Sequence, residues 1–140
     1  MDESMLYISK QPAERQAVLN DIHTAIMQHD KTVSPVVEPM MGKEMIIYKA
    51  KGMMKYALSS VKNYMSLHVL PMYGSQTIYS KYKALLPNAA FQKGCINFNS
   101  AEDVPGGIVE DLIEDCSKID LVKMREDYLE GKKKTKKAKS

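Results

Sequence analysis

Apolar residues recur at three- and four-residue spacing between Pro12 and Met27, where Ala17, Val18, Leu19, Ile22, Ala25 and Ile26 gather on one side of a helix. Pro12 suits the first turn, where its missing N–H costs nothing, and His29-Asp30 with Pro35 beyond marks the exit. Met5 to Ile8 reads as a short preceding turn. From Val36 the pattern shortens into segments rich in Met, Ile, Val and Tyr, separated by Gly42, Lys51-Gly52 and Lys62-Asn63. These are strands of an antiparallel meander, placed at Val36–Met41, Lys43–Lys49, Met53–Ser60 and Tyr64–Met72. In the last, Met65, Leu67 and Val69 point one way while Tyr64, Ser66, His68 and Leu70 point the other.

Ser75 caps a second helix running to Leu86, with Ile78, Tyr82, Leu85 and Leu86 as its packing stripe and Pro87-Asn88 as its stop. Gly94 to Phe98 is a further strand that joins the meander. Asp103-Val104-Pro105 opens a third helix to Lys118, with Ile108, Leu112, Ile113 and Cys116 apolar, and Asp120 caps a last helix to Leu129. The fold class is therefore α+β: an antiparallel sheet of about five strands with helices packed on one side.

The 140 residues suit one domain, placed at residues 1–130, because halves of that length bury too little core. Six lysines among the last nine residues turn a body of net charge −3 into a chain of +3, so residues 131–140 read as a disordered, solubilising tail. No apolar run approaches the roughly 20 residues that span a bilayer, and Met1-Asp2-Glu3-Ser4 is acidic where a signal peptide is basic. A cytoplasmic protein is expected. Cys95 and Cys116 form no CxxC and no zinc-ligand spacing, and both are expected as reduced, buried thiols. Methionine is frequent, and Met40, Met41, Met45, Met53, Met54 and Met65, within strand-like segments, read as flexible core fillers.

Lys62-Asn63-Tyr64-Met65-Ser66-Leu67 on the fourth strand and Lys93-Gly94-Cys95-Ile96-Asn97-Phe98 on the last resemble, as a pair, the YdhG-like domain family. Tyr82-Lys83-Ala84-Leu85-Leu86-Pro87 is similar to the helix end expected between them, and the resemblance covers roughly residues 5 to 120. Asn97 departs from it, since the family commonly has a basic residue there. Most members have no assigned activity. One branch resembles frataxin in architecture and is regarded as an intracellular iron chaperone. The resemblance thus implies a small, non-enzymatic binding protein with weakly bound iron, and iron–sulfur or haem assembly proteins as its partners.

Two constellations fit chemistry of this kind. Glu110, Asp111, Glu114 and Asp115 place four carboxylates on one helix, Glu110 one turn from Glu114 and Asp111 one turn from Asp115, a hard-oxygen set suited to weak Fe(II) handling. The structural alternative is a solvated face opposite Ile108, Leu112 and Ile113, since polar outer faces are the rule. The second is Lys62, Tyr64, His68, Lys93 and Cys95 on two strands expected to be near each other, where an imidazole, a thiol and lysines suit an anion or a soft metal. A packed His and a packed Cys are the structural alternative. A Cys/His nucleophile needs an orienting group and an oxyanion hole that the sequence does not supply, and there is no Gly-rich phosphate loop, HExxH or GxSxG, so no enzyme is indicated. The competing function is a binding module for a protein or nucleic-acid partner with no metal role. For nucleic acid the lysine tail offers only nonspecific attraction, because the body is acidic and its aromatics do not interleave with lysines.

Overall fold

Two hairpin turns set the sheet. Met41-Gly42 and Lys51-Gly52 each hold both residues at positive φ (53° and 81°, 52° and 80°), the tight connection whose twist matches that of paired strands. They join β1 (Ser34–Met40), β2 (Lys43–Ala50) and β3 (Met53–Ser60), and β4 (Met65–Val69) follows antiparallel to β3. A computed structural model describes residues 2–127 and 129–130, so the expected tail lies outside the described residues. Before the sheet come α1 (Glu3–Ser9) and α2 (Ala13–His29); after β4 come α3 (Gln76–Leu85), β5 (Ala90–Gln92), β6 (Cys95–Phe98), α4 (Gly106–Ser117) and α5 (residues 121–127). The strand order is β1-β2-β3-β4-β6-β5, all neighbours antiparallel. The sheet therefore has six strands where the sequence indicated about five, because β5 is a three-residue edge strand too short to show a period.

One face of the sheet carries the core. Ile46, Tyr48, Tyr56, Leu58, Met65, Leu67, Val69, Ile96 and Phe98 meet Leu19, Ile22 and Ile26 of α2, Tyr82 of α3 and Leu112, Ile113 and Cys116 of α4. The alternation expected for β4 holds, with Met65, Leu67 and Val69 in this core. The opposite face bears a small apolar group drawn from strands alone: Met45, Ile47 and Ala57, with Val36, Met40 and Met54 against them.

Several expectations need correction. Met5 to Ile8 belong to a full helix, because Asp2 accepts a hydrogen bond from the Met5 amide at 2.9 Å and so caps α1. The fourth strand ends at Val69, where Pro71 turns the chain into a 3-10 turn spanning Leu70–Tyr73. Leu85 points to solvent, and Leu86, four residues after the buried Tyr82, takes the core position. Met41 is 81% exposed at its hairpin tip and Met40, Met45 and Met54 sit on the second face, so only part of the methionine set fills the main core. Asp103 joins Ser100 in a reciprocal cap of the turn before α4, whose own first turn follows Pro105.

The free edge of β1 is blunted. Val37 turns its amide outward, where Glu3 accepts it at 3.3 Å, and Pro35 and Pro39, which share its parity, have no N–H to offer. A bulge has the larger consequence. Tyr48 faces Tyr56 but Lys49 faces Met54, leaving Lys55 unpaired and turned toward the core, where its ammonium lies 2.9 Å from Asp30.

The β3–β4 connection is tied to α2 by one side chain. The Arg15 guanidinium donates to Ser60 Oγ at 2.8 Å and to the carbonyls of Val61 at 2.5 Å, Lys62 at 3.3 Å and Tyr64 at 3.4 Å. Arg15→Ala is expected to cost about 1.5–3 kcal/mol in urea unfolding, the range for hydrogen bonds from a charged donor. A loss below about 0.5 kcal/mol means that the turn holds itself.

Candidate functional site

The register aligns two rows of side chains across the second face, which among the described residues no helix covers. Val36, Ile47, Ala57, His68, Cys95 and Gln92 are consecutive cross-strand neighbours. Beside them run Ser59, Ser66, Asn97 and Ala90. Ala57, Ser59 and Ser66 are short, so the middle of this face is low between the bulkier Met45 and Ile47 on one side and His68 and Cys95 on the other. The result is a cavity of about 300 Å³ whose lining includes Met40, Met45, Ser59, Tyr64, Ser66, His68, Cys95 and Asn97.

Two polar pairs face it. Ser66 Oγ donates to Asn97 Oδ1 at 2.8 Å, and Cys95 Sγ lies 3.0 Å from His68 Nδ1. Burial lowers the pKa of His68 and raises that of Cys95, so each is held in its neutral form. A neutral imidazole has one bare nitrogen. The Cys95 thiol and His68 Nδ1 share a hydrogen bond whose donor follows the imidazole tautomer.

Of the five residues in the second constellation, Tyr64, His68 and Cys95 meet at this cavity. Lys62 does not: it lines a separate cleft with Arg15 and Glu14. Lys93 sits in the β5–β6 turn at φ 48°. Sequence reasoning left out Ser59, Ser66, Asn97 and Met45. Even spacing does place Ser66 with His68 and Asn97 with Cys95, but only the register shows that the two pairs adjoin.

The α4 carboxylates are divided among partners. Asp115 accepts from the Tyr82 hydroxyl at 2.5 Å and from Lys81 at 2.9 Å, and these hold its carboxyl below the usual range. Glu114 and Glu110 meet His29 of α2, at 3.2 Å from Nδ1 and 3.9 Å from Nε2. Asp111 is exposed. Among the described residues no three His, Cys, Asp or Glu side chains are grouped so as to hold a metal ion.

Of the two thiols, Cys116 is fully buried and pushed up to about 12 by burial, whereas Cys95 is half-buried on the cavity wall, which corrects its reading as a buried thiol. An aromatic disulfide reagent is expected to react with one thiol of the native chain, lost in Cys95→Ser, and with the second only after denaturation. Equal reaction of both in the native state contradicts this placement.

No protein-family model matches the chain, no curated protein matches it, and no solved structure matches it. Among the described residues no helix is long and apolar enough to cross a membrane.

Proposed function

We propose that the chain is a non-enzymatic, cytoplasmic binding protein that receives a small ligand on the uncovered face of its sheet. The observation that carries this reading is the cavity floored by Ser59 and Ser66, walled by methionine and edged by two polar pairs. Its size and mixed lining suit a small molecule with an apolar body and a hydrogen-bonding head.

The YdhG-like family, in its frataxin-like branch, remains the reading of descent. Its support is that the two motifs behind the resemblance lie side by side, with Ser66 opposite Asn97 and His68 opposite Cys95. Iron handling on α4, for delivery to iron–sulfur or haem assembly, is the second reading. In its favour His29 adds a nitrogen donor beside Glu110 and Glu114; against it Asp115 is already held by Lys81 and Tyr82.

The test is a ligand-observed NMR screen of small fragments against the native chain and Ser59→Leu, whose side chain fills the cavity floor. Fragments that bind the native chain and lose binding in the variant, with the fold intact by circular dichroism, support the reading. Equal binding to both overturns it.

A further inference from the structure

The cavity's donors are soft and its wall is free of carboxylates. Cys95, His68 and Met45 all line it, no Asp or Glu does, and Lys43 stands at its rim. We propose that this face binds a soft monovalent cation of the copper(I) class, held between Cys95 Sγ and His68 Nδ1. The inference rests on the uncovered face being the ligand-receiving one and gives its Cys95–His68 edge a metal ion as a further ligand.

Geometry supplies the first argument. Sulfur and nitrogen already converge at 3.0 Å. With metal bonds of about 2.3 Å to sulfur and about 2.0 Å to nitrogen, an ion held in line between the two sets them about 4.3 Å apart, so the two side chains need to part by about 1.3 Å. The ion takes the place of the thiol hydrogen between them: the S–H bond breaks, the proton leaves to water, and the metal–sulfur and metal–nitrogen bonds form with no change of oxidation state.

Charge and softness select the ion. A thiolate with a monovalent cation makes a neutral unit, which a half-buried cavity holds at little desolvation cost, whereas a dication leaves a net positive charge near Lys43. Thiolate and imidazole favour copper(I), while hard divalent ions require oxygen donors that this cavity wall provides only as neutral hydroxyls and amides.

The experiment is anaerobic competition of the full chain for copper(I) against a coloured copper(I) chelator. The native chain is expected to withdraw one equivalent, and Cys116→Ala to do the same. Cys95→Ser and His68→Ala are expected to bind at least tenfold more weakly, with unchanged circular dichroism. No copper withdrawn by the native chain overturns the proposal, as does tight binding that survives His68→Ala, which marks a simple thiol adduct. Fragment binding that depends on Ser59 stands or falls separately, so failure of the copper site is distinguishable from failure of the site as a whole.

Discussion

Asp30→Ala is expected to lower the unfolding free energy by about 3–5 kcal/mol, the range for leaving one half of a buried ion pair without its partner. Asp30 is 0% exposed and Lys55 1%. Burial by itself raises the Asp30 carboxyl, but hydrogen bonds from Thr32, Lys55 and Tyr56 outweigh it and hold the group below its usual value. The geometry explains the balance: Thr32 donates from Oγ1 at 2.5 Å and from its amide at 3.0 Å, Tyr56 from its hydroxyl at 2.7 Å, and Lys55 lies 2.9 Å away. Without the carboxylate, the Lys55 ammonium is stranded in the core. Replacing both partners at once, Asp30→Leu with Lys55→Met, is therefore expected to cost much less than Asp30→Ala alone, because no charge is then left unpaired. Urea unfolding of the single and double variants measures this, and equal losses contradict it.

Raising the pH is expected to unfold the chain cooperatively above about pH 10. Tyr7, Tyr48, Tyr56 and Tyr82 have their phenol pKa values raised, in each case first by burial, and Cys116 is pushed up to about 12. Each is an acid whose folded pKa lies above its unfolded one. Its stabilising contribution is whole below the unfolded value and is lost as pH rises toward the folded value. For Cys116 alone, moving from 9.0 to about 12 corresponds to a contribution on the order of 4 kcal/mol, a large share of a typical small-domain stability of about 5–15 kcal/mol. A spectroscopic titration of tyrosine is expected to show a steep ionisation step coincident with loss of circular dichroism, as the buried Tyr7, Tyr48, Tyr56 and Tyr82 are released together. Gradual ionisation of all tyrosines with the fold intact contradicts the account.

Much of this fold was legible because its strands and helices follow their own periods. In β4, Met65, Leu67 and Val69 alternate with Ser66 and His68, and the structure keeps that division. Gly42 and Gly52 marked both hairpin tips for the reason that glycine marks them, a positive φ. What stayed hidden depends on pairing between distant segments. The extra residue at Lys55 reverses the direction of one side chain, and no local pattern distinguishes a bulged lysine from a solvent-facing one. Asp30 read as a helix exit and is also a buried acceptor, a role fixed by Lys55 and Tyr56 some 25 residues away. The site was half visible for the same reason. His68 and Cys95 were singled out by type, but their contact and the low floor between them come from the register of β3, β4 and β6.

The central claim is that the uncovered sheet face, and not the acidic face of α4, receives the ligand. Protein-observed NMR bears on it most directly, with amide shifts followed as a bound fragment is titrated into the native chain. The account predicts that the largest changes map to Ala57, Ser59, Ser66, His68, Cys95 and Asn97, with Glu110, Asp111, Glu114 and Asp115 unmoved. Changes centred on those four α4 residues, or spread evenly over the chain, contradict it.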